Sequence, residues 1–133
     1  MKDGEFAIIE ARIEALRAKW VEPLGLGAWT LSIVCYRDSG EYQEITGCGP
    51  ASAALCDASW QYQDARISFN CPKWLLMSEN EQERVMLHEL CHLLLAELDM
   101  CMKFEDHHHI EHVTTTLAQA FWWVQRQRES PSL

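Results

Sequence analysis

Apolar and polar positions alternate along this chain with two different periods, and the switches between them divide it into elements. Phe6, Ile9, Ile13, Leu16 and Trp20 recur at helical spacing, with Glu10, Arg12, Glu14, Arg17 and Lys19 between them. Residues 5–21 are therefore expected to form an amphipathic helix with one inward stripe. Asp3 is placed to cap it, and Pro23, Gly25 and Gly27 end it. From Trp29 the period falls to two: Trp29, Leu31, Ile33 and Cys35 alternate with Thr30, Ser32, Val34 and Tyr36, the pattern of a strand. Arg37-Asp38-Ser39-Gly40 reads as a turn, with 41–46 returning as a second strand. Gly47-Cys48-Gly49-Pro50 interrupts the pattern, and 51–56 fits either a strand or a loop. Trp60 and Tyr62 alternate with Gln61 and Gln63 as a third strand. Beyond Asp64, Ala65, Ile67 and Phe69 share one face and Arg66, Ser68 and Asn70 the other, so the expected sheet is antiparallel and half exposed.

Cys71-Pro72 closes the last strand, and the helical period returns. Ser78 is an N-cap with Glu81 three residues later, and Val85, Met86, Leu87, Leu90, Leu93, Leu94, Leu95 and Leu98 make the following helix apolar nearly all round. Glu83 and Glu97 project within roughly 40° of each other and mark its expected outward side. Residues 99–105 read as a connection. Asp106 is a candidate cap for a final helix to about Arg128, with Ile110, Val113, Leu117, Phe121 and Val124 as core stripe and Ser130-Pro131 as its stop. The expected fold class is α+β: an N-terminal helix, a small antiparallel-rich sheet and two further long helices.

The chain of 133 residues reads as a single domain, 1–133, with enough length for one core. The net charge of −9 argues against a general nucleic-acid binder and against an anionic membrane surface. The charged start, Met1-Lys2-Asp3-Gly4-Glu5, does not resemble a secretory signal, and no apolar run approaches membrane-spanning length. Six cysteines without a C-x-x-C pair then read as reduced thiols, and the expected location is cytoplasmic. Cys91 reads as packing rather than as a ligand.

The chemistry lies in the apolar helix, at His88-Glu89-x-x-His92. Residues four apart point the same way, so both imidazoles converge on the side opposite Glu83. Two neutral imidazoles suit zinc, which then needs a third protein ligand and an open position for water. Glu89, about 100° round the helix from His88, can reach that water without binding the ion. The plainer alternative is a hydrogen-bonded pair of core histidines with a glutamate partner.

Five residues are candidates for the third ligand: His107, His108, His109, Glu111 and His112. If the two long helices form an antiparallel hairpin, His92 and His88 sit about 9 and 15 Å from its turn at 1.5 Å per residue. A ligand between them belongs roughly eight residues into the next helix, give or take one turn, which places the 107–109 histidines too near the turn. Glu111 turns towards the cleft, whereas His112 shares a side with Thr116, Gln119 and Trp123. Glu111 is therefore the expected ligand, with the four histidines as alternatives.

The His88-Glu89-x-x-His92 helix, followed 19 residues after His92 by Glu111 on a second helix, resembles the gluzincin type of zinc metallopeptidase. The order of elements is similar to a minimal, single-domain zincin of the kind found in phages, mobile elements and bacteria. The resemblance implies zinc held by His88, His92 and Glu111, with Glu89 as general base for hydrolysis of a peptide or protein substrate. It also implies substrate lying along a sheet edge, for which 65–70 is the expected strand. The family's transition-state donor is not assigned; Tyr36, Tyr42, Tyr62 and the 107–109 histidines are open. The rival functional readings are a catalytically weak zinc-binding module acting through a protein partner, and a metal-free acidic interaction protein.

Overall fold

A computed structural model describes residues 1–129. The first helix, α1 (Asp3–Trp20), buries Ile9, Ile13, Leu16 and Trp20, the four rear positions of the expected stripe, while Phe6 is half-buried. Lys2, not Asp3, occupies the N-cap position. Asp3 lies in the first turn and pairs with Arg37, which holds its carboxyl below the ordinary range. Strand β1 (Thr30–Tyr36) follows the period-two stretch.

The next segment departs from expectation. Residues 41–46 are not a strand but part of helix α2 (Ser39–Thr46). Asp38 caps it by accepting the N–H of Gly40 at 2.9 Å. Gly47, with φ +74°, ends it, donating its N–H to the Gln43 carbonyl at 2.9 Å in the left-handed geometry that glycine takes without strain. Of this helix only Tyr42 is fully buried, so one aromatic anchors an otherwise polar element.

Strand β2 is Ala54–Ser59, and β3 is Asp64–Asn70. Trp60 and Tyr62, expected within a strand, lie instead in the turn between them, where Gln63 has φ +49°. The sheet order is β1-β3-β2, with β3 parallel to β1 and antiparallel to β2. The sheet is therefore mixed rather than antiparallel. Strand β3 is its centre, buried on both faces: Ala65, Ile67 and Phe69 on one, Ser68 and Asn70 on the other. This corrects the expectation that 65–70 is an open edge, because both hydrogen-bonding sides of β3 are occupied. The outer strand of the sheet on the side of the His88-Glu89-x-x-His92 helix is β2.

After the short helix α3 (Cys71–Leu75), α4 runs over Glu79–Leu94. Ser78 Oγ accepts the Glu81 N–H at 3.2 Å, as the sequence pattern requires. The helix breaks at Leu95, a helical turn α5 (Ala96–Cys101) and a 3-10 turn at Phe104–Asp106 follow, and α6 spans His107–Glu129. The apolar helix is thus shorter than 98, and Leu94 and Leu98 are exposed. Glu83, expected to face water, is only 5 % exposed. Its carboxylate accepts from Lys19 Nζ at 2.8 Å and from Trp20 Nε1 at 3.2 Å, so α1 covers that side of α4.

Met86, Leu87, Leu90 and Cys91 of α4 join the α1 stripe, Trp74 and the inner face of β3 in one core. On α6 the fully buried line is Ile110, Thr114 and Ala118, with Leu117 and Phe121 half-buried. Val113 and Val124, expected in the stripe, are exposed. The apolar stripe is therefore rotated, so that smaller residues meet α4. Among the described residues the architecture is α+β, with six α-helices and a three-stranded mixed sheet. All six cysteines carry free thiols, and no described helix is long and apolar enough to cross a membrane.

Candidate metal centre

Helices α4 and α6 run antiparallel: His92 and His88 face Glu111, and Arg84, earlier on α4, meets Trp122, later on α6. The His88 and His92 rings stand edge to face with centroids 4.9 Å apart, as i,i+4 spacing dictates. His88 Nε2 lies 2.7 Å from Glu111 Oε1, and His92 Nε2 lies 3.4 Å from Glu111 Oε2. One ligand atom from each of the three residues falls within 4.8 Å of the other two, an arrangement able to hold a metal ion. The two imidazoles are about a quarter exposed and the Glu111 side chain is 58 % exposed, so the cluster sits at the mouth of a cleft, open on one side.

The charge states favour cation binding. His92 is held below its ordinary pKa, first by burial and then by the neighbouring His88, with Glu111 and Asp99 acting in the opposite direction. A lone pair is therefore available on its Nε2 near neutrality. Thr115, one turn after Glu111, places its Oγ1 3.4 Å from His88 Nδ1 and so helps set the ring that presents Nε2 to the cluster. The sequence reading did not include Thr115. Its i+4 relation to Glu111 is the signal that identifies it.

Glu89 occupies the wall beside this cluster and is only 6 % exposed. Its pKa is pushed up to about 8, chiefly by burial and next by the Glu111 charge, while a backbone hydrogen bond from Cys56 on β2 pulls the other way. A buried carboxyl without a cationic partner is costly in its charged form. The arrangement is suited to a group that exchanges a proton at a cleft rather than to a structural anion.

The cleft is a cavity of about 370 Å³ lined by β2 and the segment before it (Ser52, Ala53, Ala54), by α4 (Arg84, Val85, His88, Glu89) and by α6 (Glu111, Thr115, Ala118, Gln119). Its β2 wall is pinned from below. Asn70 Nδ2 donates to the Ser52 carbonyl at 3.1 Å, and both the Asn70 N–H at 2.9 Å and Trp74 Nε1 at 3.2 Å donate to the Ala53 carbonyl. Tyr42, fully buried, shares a 2.7 Å hydrogen bond with Ser52 Oγ. Asn70 is thus bound on both its backbone and side-chain donors, which accounts for a buried amide at the end of a central strand.

The other candidates lie elsewhere. His107 Nε2 is 3.9 Å from Asp99 Oδ1, and His108 Nδ1 lies 3.0 Å from the Glu105 carbonyl at the start of α6. His109 stacks beside His108 with centroids 3.8 Å apart, and His112 is exposed. None of these four joins the ligand cluster among the described residues. Tyr36 packs edge-on against Tyr42 at 5.7 Å, and Tyr62, 81 % exposed, lines a separate cavity with Trp29 and Trp60. Cys91 is fully buried in the core. No protein-family model matches the chain, and neither does any curated protein or solved structure with which it was compared.

Proposed function

We propose that this chain is a zinc-dependent peptidase of the gluzincin type, with His88, His92 and Glu111 as ligands and Glu89 as general base. The observation that carries the reading is the convergence of two imidazole nitrogens and a carboxylate in one cleft, with a buried carboxyl beside them that is not part of the ligand set. The donor set fits zinc, which in catalytic sites takes three protein ligands at about 2.0–2.2 Å and keeps one position open. Such ligands stand about 3.4 Å apart in a tetrahedron. His92 Nε2 stands 3.4 Å from Glu111 Oε2, at that value, while His88 Nε2 and Glu111 Oε1, 2.7 Å apart, would have to separate to admit the ion.

When bound, zinc supplies Lewis acidity, lowering the pKa of water and polarising a carbonyl. The chain's own residues do the rest. His88 and His92 would contribute ring-nitrogen ligands, and Thr115 steadies the first. Glu89 accepts a proton from the attacking water and passes it to the departing amine. Burial raises its affinity for that proton, and a cation held beside it would favour the charged form that accepts. The outer edge of β2 borders the cleft and offers backbone groups to an extended peptide, in place of the 65–70 edge first expected. The six free thiols support a reducing, cytoplasmic location.

One observation favours the alternative, a zinc-binding module that works through a protein partner with little turnover. Among the described residues, the cleft lining includes no tyrosine and no histidine besides His88, so no side chain of those types stands ready to stabilise a developing oxyanion. Glu89→Gln separates the readings. For the peptidase, zinc content is retained and hydrolysis of a broad peptide library falls on the order of 10²–10⁴-fold. Wild-type protein that carries zinc and cleaves nothing selects the module, and protein with no zinc and no thermal response to added zinc overturns both.

A further inference from the structure

The cleft holds one cation that the chemistry above does not use. Arg84 lies on α4 one turn before His88, about 6 Å along the helix axis, and lines the same cavity. Its guanidinium carbon sits over the Trp122 ring, 4.0 Å from the centroid, and Arg126 approaches the same ring at 5.2 Å. Contact with the ring face holds the guanidinium in place and leaves its N–H donors available to a partner. Among the described residues no carboxylate, carbonyl or hydroxyl accepts from Arg84. The other ionisable groups around this cavity are His88, Glu89 and Glu111, so Arg84 is its only fixed positive charge among the described residues.

We propose that Arg84, held over the ring of Trp122, is a specificity-determining residue that binds a substrate carboxylate a few residues from the scissile bond. This rests on the peptidase reading and narrows its substrate class to acidic peptides. About 6 Å separates the two backbone positions along the axis, and the Arg84 side chain leans further from His88 towards Trp122. An extended peptide advances about 3.3 Å per residue, so a glutamate or aspartate a few positions from the bond over the metal cluster reaches the guanidinium. The planar fork of the guanidinium pairs with a carboxylate through two parallel hydrogen bonds, a match that neither a neutral amide nor a lysine ammonium reproduces. A peptide C-terminus carries the same carboxylate chemistry.

The test uses zinc-loaded full-length protein in two assays. The first compares cleavage of peptide libraries containing Glu, Gln or Lys near the bond, with free or amidated C-termini. The second measures, by calorimetry, binding of short peptide hydroxamates that differ only in a Glu, Gln or Lys side chain. Glu over Gln is expected to gain roughly tenfold to a hundredfold in affinity, the scale of a charge-assisted hydrogen bond. Arg84→Met should erase that preference with zinc content unchanged, and Arg84→Lys should keep part of it. Preference for a free C-terminus over an internal Glu assigns the carboxylate to the chain end. Cleavage with no acidic preference, or equal binding of the Glu and Gln hydroxamates to wild-type protein, overturns the role of Arg84 and leaves the peptidase reading standing. Absence of any cleavage overturns the peptidase reading and with it the role of Arg84 in specificity.

Discussion

Replacing Glu111 by Gln is the sharpest test of the proposed metal centre, because it removes one anionic oxygen at nearly constant volume. The carboxylate touches both imidazoles, at 2.7 and 3.4 Å, and its side chain is 58 % exposed. A surface change of this kind alters stability by no more than about 0.5 kcal/mol, so the fold should persist. Zinc binding to four-ligand protein sites is worth about 10–16 kcal/mol in all, so an equal share is about 3 kcal/mol per ligand. That share predicts a loss of zinc affinity on the order of a hundredfold or more. Competition against a chromophoric chelator measures the affinity, and circular dichroism of metal-free protein checks the fold. His107→Ala, His108→Ala and His109→Ala serve as controls, since Asp99 lies beside His107, the Glu105 carbonyl beside His108, and His109 only stacks on His108. Zinc affinity within threefold of wild type for a folded Glu111→Gln protein refutes the assignment. So does a loss of similar size in any of the three histidine variants.

Metal-free protein should lose stability as pH rises from about 4.5 to about 8. Glu89 stays protonated in the fold over that range, whereas the unfolded chain releases its proton near 4.5, so the folded state binds more protons and the slope is negative. His92, depressed in the fold, acts in the opposite sense around and below 6.5. The Glu89 contribution is therefore read as the difference from Glu89→Gln, and equal slopes in the two proteins by urea denaturation refute it. Glu83→Ala removes the acceptor shared by Lys19 and the buried Trp20 indole. It should cost roughly 1–3 kcal/mol, the penalty for an orphaned buried donor. A melting temperature unchanged within a degree counts against that contact.

The parts of this protein legible in the order of its residues are those whose partners lie within a turn or two of the same element. His88 and His92 share a face because four residues make one helical turn, and Ser78 caps α4 through an N–H three residues away. The alternation in β3 and the α1 stripe were readable for the same reason. Glu111 was reachable because rise per residue, applied to a hairpin, narrows where two helices meet.

What depended on distant residues was not legible. Residues 39–46 contain Tyr42, Ile45 and Thr46, which favour a strand, yet they form a helix capped by Asp38 and anchored by Tyr42, the one side chain there that the core buries completely. Conversely, 51–56 fits either a strand or a loop by pattern, yet 54–59 form a strand, because β3 supplies the hydrogen-bonding partner. Strand β3 became the centre, and β2 the edge beside the cleft, only once β1 paired with β3 across the intervening α2 and β2. Glu83 looked like a solvent-facing charge until α1, 64 residues earlier in the chain at Lys19, closed over it. Nothing in the local pattern marks Arg84; its contact with Trp122 exists only because α6 packs beside α4. Hydrophobic period reports how one element meets its surroundings, whereas strand order, edges and ion pairs depend on which elements become neighbours, and that is decided by long-range packing.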